Sequence, residues 1–507
     1  MRFCANSRTP RVFQDVCRCT ALLNSILAPQ LVLPSSSHYQ SLVNHHYTLN
    51  APLQPGCFFQ PKSSEQVGLG VSILVEADDG SPECQFAIRG GGHTPFMGAA
   101  GVEGGVTIDL AMMSQTIYDP TTSTVSIMTG ARWGDVYTTL KPLGVAVTGG
   151  RSDSVGVGGL IIGGGWSYFA PQHGLACDNV VNFEIVLSNG TPTTANKTHN
   201  PLLFRALKGS GNNLGILTRV TLRAFPQGPL WGGIILHPAT AIPSQITAIV
   251  NFTPALEVDP HANLVTIWQH KHDAENDVGF AASGLQHTLA TADAEIFNEF
   301  LTIERSGDTL RVADIYDLMM ETAPPPGMRA VFLTLTFRNE ARVLEKLAEL
   351  HEEAVKSVKA GKVVSEEWDV ISFLQPFPAV LEKVSREARA RGGGGNMDGG
   401  NVLGLERMGG EDHLLYLLFL DWLDEADDDL FHDLGYDLID KLKAYTQEIG
   451  ADSDYVYMNY AGRDQNPLKG YGDDNLQFIA AMARKYDPIE VFQRQVPGGF
   501  KVSKAHL

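Results

Sequence analysis

The chain's most reactive-looking setting is that of His93, which directly follows Gly90, Gly91 and Gly92. Imidazole is a good nucleophile near neutral pH because its ordinary pKa is about 6.5. On a loop that holds a cofactor it could attack an electrophilic carbon of that cofactor. A lone His in a turn is an ordinary residue, so the argument rests on its company. There are three glycine clusters: Arg89-Gly90-Gly91-Gly92-His93, SVGVGGLIIGGGW from Ser154 to Trp166, and GSGNNLGILT from Gly209 to Thr218. Glycine runs let the backbone approach a ligand closely and expose successive N–H groups that form anion nests. Arg89 adds a fixed cation. One such cluster reads as a turn or bulge between strands. Three in one strand-rich stretch point to a phosphate-bearing cofactor.

Several familiar sites are excluded. None of the three clusters contains G-x-G-x-x-G, and no G-x-x-x-x-G-K-[ST] or H-E-x-x-H occurs. Gly165-Trp166-Ser167-Tyr168-Phe169 misses the nucleophile elbow at its last position. The cysteines show no C-x-x-C and no zinc-ligand spacing. They read as free buried thiols, with one disulfide if the chain enters the secretory pathway. Arg2, Arg8 and Arg11 resemble a signal n-region, but Asp15, Arg18, Asn24 and Pro29 break the stretch that follows. Sequons at Asn189, Asn196 and Asn251 permit secretion without requiring it.

The elements that must position these loops are those of an α+β chain. The 507 residues carry a net charge of −19, which disfavours nucleic acid and anionic membrane surfaces as partners. The longest strictly apolar run, Leu414–Leu420, is seven residues, against about 20 for a membrane span. Residues 1–50 read as irregular or short helical structure. From Pro61 short apolar runs (VSILVEA, FAIRGGG, GVTIDLA, TVSIMTGA, VNFEIVLSNG) alternate with Gly-, Asp- and Asn-rich turns and read as strands. Trp133 opens a short helix closed near Gly144, and Pro201 opens another. Residues 229–275 read as strands again. Residues 340–360 form an amphipathic helix through Val343, Leu347, Leu350, Ala354 and Val358, and 425–449 form a second through Leu430 to Tyr445. Residues 391–410 read as a Gly-rich loop and 413–422 as a buried strand. No internal repeat is found.

IRGGGH (88–93), SVGVGGLIIGGG (154–165), HGLACDNV (173–180), GNNLGILT (211–218) and a C-terminal NY…YG-x-x-N…KYDP…VF pattern occur in that order. This ordered set resembles the berberine-bridge-enzyme-like oxidases, flavoproteins with the vanillyl-alcohol-oxidase (PCMH) type of FAD domain. The resemblance runs from about Pro52 to Val496. It implies an α+β fold: a two-subdomain FAD-binding domain plus an α/β substrate domain with an antiparallel sheet. The corresponding division is an N-terminal segment at 1–51, the FAD domain at 52–226, the substrate domain at 227–450, and a segment at 451–507 that returns to the FAD domain.

The resemblance also implies site residues. His93 takes the position of the covalent link to the flavin 8α-methyl. Many members add a bond from a Cys in G-x-C-x-x-V-G; here Ser152 occupies that place in Gly150–Gly156, so one bond is expected. Gly90 stands where Ser is common. Arg89, Gly90, Gly91 and Gly92 belong to the cofactor loop. Ser154, Val155, Gly156, Gly158 and Gly159 are expected to face the pyrophosphate. Asn179, Gly215 and Ile216 match positions near the cofactor, and Asn459 and Asn475 offer amides to the flavin or to packing. Asp109 and Asp178 read as turn or capping residues. Tyr460 matches the family's catalytic base. Tyrosine, at an ordinary pKa of about 10, serves only if a positive neighbour or strong donor stabilises the phenolate. On residues alone Tyr455, Tyr457 and Tyr460 read as core positions of an aromatic strand.

The expected activity is hydride transfer from a small organic substrate, an alcohol or amine carbon of a secondary metabolite, to FAD, with O2 as acceptor and H2O2 as product. A carbohydrate oxidase, a dehydrogenase poor with O2, oxidative C–C closure, and a non-redox isomerase or binding protein are the alternatives.

Overall fold

The computed structural model describes residues 17–81, 84–322, 326–390 and 400–505. Residues 391–399 of the expected Gly-rich loop lie outside these; of its remainder, Leu405–Met408 form a 3-10 turn.

Three sheets organise the described residues. The first has four short strands in the order Leu31–Val32, Cys57–Phe59, Val106–Asp109, Phe86–Arg89. The last three are parallel, and parallel neighbours need a crossover. The helix Ser64–Glu76 supplies one, capped by Ser63 Oγ accepting from the Gln66 N–H at 3.3 Å. This corrects the strand reading of VSILVEA. Val67, Val71 and Leu74 recur at i, i+4 and i+7 and are buried together against Phe59 and Ile108. A run this rich in Val and Ile imitates a strand when read locally.

The second sheet is antiparallel, in the order Thr116–Asp119, Thr124–Met128, Ile216–Pro226, Val180–Val186, Pro192–Asn196. Val145–Val147 pairs with the far end of the long strand Ile216–Pro226. The helix Trp133–Leu140 precedes Gly144 at φ +65°, and Pro201 opens Pro201–Ala206, both as expected.

The third sheet has eight antiparallel strands, with Leu230–Pro238, Asp277–His287, Ala262–His272, Trp368–Phe377, His413–Trp422 and Arg329–Arg338 adjacent in that order. The helices Ile242–Ala255, Ala341–Ala360 and Asp428–Glu448 pack with one face of it. The first of these overturns the all-strand reading of 229–275. Ile246, Ile249 and Phe252 bury one helical face, and Pro243 sits in the first turn. The predicted face of Ala341–Ala360 is buried as read, from Val343 to Val358. Every residue of His413–Trp422 is buried, because side chains on both faces are covered.

The ends are tied to the first two sheets. Cys19 and Cys57 form a disulfide, and Cys177 is a free buried thiol. Phe492 and Val496 join the core of the first sheet, and the helix Asp473–Tyr486 joins that of the second. Among the described residues no helix is long and apolar enough to cross a membrane.

Candidate flavin site

Two glycine loops cross at van der Waals distance. A Cβ at Gly91 would lie 2.4 Å from the Gly156 nitrogen, and one at Gly156 would lie 2.4 Å from the Gly91 nitrogen. Only glycine permits that approach at both positions. Arg132 rivets the crossing, its Nη1 donating to the Ser154 carbonyl at 2.5 Å and its Nη2 to the Gly91 carbonyl at 2.9 Å. Gly92 turns at φ +65° and aims His93 into a cavity of about 360 Å³. The helix Val157–Ile162 begins at the crossing, and Gly158 and Gly159 line the same cavity.

The His93 ring stacks on Tyr47, centroids 3.9 Å apart at 17°. The Tyr47 N–H donates to the Gly92 carbonyl at 3.0 Å, so one residue holds both the loop and its imidazole. Burial, and then the Arg132 guanidinium, push the His93 pKa down to about 3. The ring is therefore neutral and its nitrogen lone pair is available at physiological pH. Nε2 is buried with no partner.

Across the cavity stands Tyr460, in a 3-10 turn (Met458–Tyr460) and not in the aromatic strand expected. Its phenolic oxygen accepts from Arg151 Nη2 at 3.1 Å and from Gln375 Nε2 at 3.1 Å. Arg151 also bonds Gln375 Oε1. The cationic neighbour and the strong donor that a phenolate base requires are thus both present. Asn459 donates to the Leu160 carbonyl at 3.0 Å and to Tyr457 Oη at 3.1 Å, which fixes the Tyr460 turn against the glycine helix.

His93, Gly90, Gly91, Gly92, Val155, Gly156, Gly158, Gly159, Gly215, Ile216, Asn459 and Tyr460 line one cavity with Ser152. Four candidates are not among its lining residues. Arg89 turns away to Asp109 at 3.1 Å and to the Leu42 carbonyl at 2.6 Å, so its charge is used inside the first sheet. Ser154 gives its carbonyl to Arg132. Asn179 donates to the His173 and Leu175 carbonyls, and Asn475 bonds Arg205 and the Tyr471 carbonyl; both hold turns. Asp109 and Asp178 cap turns as read, accepting from the Ala111 and Leu175 N–H groups.

The paired glycine loops, the neutral His93 with an orphan nitrogen and the opposing Tyr460 fit a flavin dinucleotide. A family model described as FAD binding domain matches residues 55–196. FAD-dependent monooxygenase drtC of Aspergillus calidoustus is 40% identical over 96% of this chain and 90% of its own. The chain belongs to the same family of FAD-dependent oxidoreductases as this relative. FAD-dependent monooxygenase sdcF of Emericella nidulans is 38% identical over 96% of this chain and 98% of its own. Among solved structures, glucooligosaccharide oxidase from Acremonium strictum superposes with a TM-score of 0.69 at 18% identity, covering 94% of this chain and 96% of the other. The protein is an FAD-dependent oxidoreductase of this family.

Sequence reasoning missed Tyr47 and Gln375. Each comes from a segment distant from the glycine loops and carries no local motif. The aromatic wall on the third sheet was missed for the same reason: Phe332, Phe373 and Phe419 lie on different strands and meet only through register, Phe332 opposite Phe419.

Proposed function

We propose that this protein is an oxidase that removes a hydride equivalent from a hydroxyl- or amino-bearing carbon of a small secondary metabolite, with O2 as final acceptor and H2O2 as product. The observation that carries the reading is Tyr460 Oη, held between Arg151 and Gln375 in the cavity that also contains His93. FAD held there supplies the acceptor for two electrons and a proton. Arg151 supports Tyr460 as the phenolate, which takes the substrate's O–H or N–H proton and becomes the neutral phenol. Gln375 orients the phenolic oxygen. His93 would carry the covalent attachment, its neutral imidazole supported by Tyr47. The Acremonium enzyme is described with a 6-S-cysteinyl, 8α-N1-histidyl FAD; with Ser152 in the cysteine's place, this chain would hold its flavin by one bond. Val155, Gly156, Gly158 and Gly159, with Gly90 to Gly92, would hold the pyrophosphate, and Gly215 and Ile216 the remainder of the dinucleotide.

The proposed FAD domain is 52–226 and the substrate domain 227–450, with an N-terminal segment at 1–51 and a segment at 451–507 that returns to the FAD domain. The first two sheets lie before residue 227 and the third lies between 230 and 422, which supports this division.

A second reading is favoured by the names of both curated relatives, each an FAD-dependent monooxygenase. A monooxygenase places one oxygen atom of O2 in its product and needs a further reductant. Turnover under 18O2 separates the two. The oxidase reading predicts one H2O2 per substrate and no label in the product; labelled product with no peroxide would replace it.

A further inference from the structure

The half of the cavity formed by the third sheet has an apolar aromatic wall and a small number of polar atoms. Phe332 meets Phe419 edge to face at 4.9 Å, and Phe373, Leu417 and Val265 continue the surface. At one end stands Gln286, which is 1% exposed and lines the cavity. Its Oε1 has no hydrogen-bond partner. Directly opposite it across the strand pair is Asn263, 5% exposed, whose Oδ1 is also without a partner. At the other polar position Arg151 carries a buried Nη1 with no partner, beside its bonds to Gln375 and Tyr460. A buried carbonyl oxygen left unpaired is unfavourable, because it has lost water and gained no partner. A ligand that donates to Gln286 removes that cost.

We infer that this wall is a subsite for a flat aromatic ring system bearing a hydroxyl group that donates to Gln286 Oε1. The inference rests on the flavin-site reading and names the substrate class within it. It sets the carbohydrate alternative aside on chemistry: a sugar presents a hydroxyl on nearly every carbon, and Val265, Phe332, Phe373, Leu417 and Phe419 offer none of them a partner. An aromatic ring instead gains from contact with the Phe332, Phe373 and Phe419 rings that line the cavity. Gln286 then discriminates by the rule that a site built to hydrogen-bond an O–H rejects the analogue lacking it.

The test uses flavin-loaded enzyme and follows perturbation of its visible absorbance on titration with 2-naphthol, 2-methoxynaphthalene and cellobiose. The expected order is 2-naphthol tightest, 2-methoxynaphthalene roughly tenfold weaker for loss of the donor, and cellobiose without effect. Gln286→Leu should raise the 2-naphthol Kd to that of the methyl ether and leave the ether unchanged. If Gln286→Leu does not fold, Phe373→Leu serves: both naphthalenes weaken and their ratio is kept. Binding of cellobiose without the naphthalenes, no binding by any probe, a ratio that survives Gln286→Leu, or no change in Phe373→Leu would overturn the inference. Purified protein without flavin bands after incubation with FAD would instead overturn the reading on which it rests.

Discussion

Gly156 and Gly159 are three residues apart on the same cofactor loop, yet alanine at each should act in opposite ways on the empty protein. Gly156 has φ −72° and ψ 141°, which any residue adopts, so its conformation imposes no strain. The obstacle is space: a Cβ there falls 2.4 Å from the Gly91 nitrogen and 2.7 Å from its Cα. Ordinary contact begins near 3.4 Å, so the loops must part by about 1 Å, and both offending atoms are backbone. Overpacking of this kind costs about 1–3 kcal/mol. At Gly159 a Cβ meets nothing within 4 Å, and the residue lies in the helix Val157–Ile162. Replacing helical Gly by Ala stabilises by about 0.5–1 kcal/mol. The open space at Gly159 is the cofactor cavity itself. Gly156→Ala should therefore lower the melting temperature of flavin-free protein by several degrees and reduce FAD content. Gly159→Ala should hold or raise that melting temperature while still reducing FAD content. Differential scanning fluorimetry and flavin quantitation on the same preparations read both. Normal FAD content in Gly159→Ala, or an undisturbed melting temperature in Gly156→Ala, would refute the cradle argument.

Two further predictions concern protons. Tyr460→Phe should retain flavin and fold but lose roughly 10²–10⁴ in kcat, the usual worth of a positioned base; stopped-flow measurement of flavin reduction checks this, and a loss below tenfold would remove Tyr460 from the base role. Lys501 is buried, donating to Asn212 Oδ1 at 3.0 Å, and burial pushes its pKa down to about 7. The unfolded chain keeps this proton up to about 10.4 while the folded protein releases it near 7, so folding stability should rise with pH across that window. Lys501→Met should flatten this rise and stabilise the protein at pH 6 in urea denaturation; an unchanged slope would count against it.

The site was legible where chemistry and backbone demands coincide in one short segment. Gly91 and Gly156 stand out locally because only glycine permits their crossing, and His93 follows that loop into the cavity. Arg89 was misread by the same local logic. Its position beside the glycines suggested a phosphate cation, but it ends a parallel strand in register with Asp109, and that pairing takes its charge. Tyr460 was found through the family pattern, whereas Arg151 and Gln375, which make it chemically credible, meet it only in three dimensions. The third sheet was partly visible: His413–Trp422 is a buried strand by composition, and Ala341–Ala360 is a helix by periodicity. Ile242–Ala255 was lost because its β-branched residues mimic a strand until the spacing of Ile246, Ile249 and Phe252 is counted.

The central claim is a flavin held covalently by His93, and an absorbance spectrum before and after acid precipitation tests it most directly. The account predicts yellow protein whose flavin bands stay with the pellet, and a His93→Ala variant whose flavin passes to the supernatant. Flavin released from the wild-type pellet would contradict the His93 bond, and protein that stays colourless after incubation with FAD would contradict the flavin site altogether.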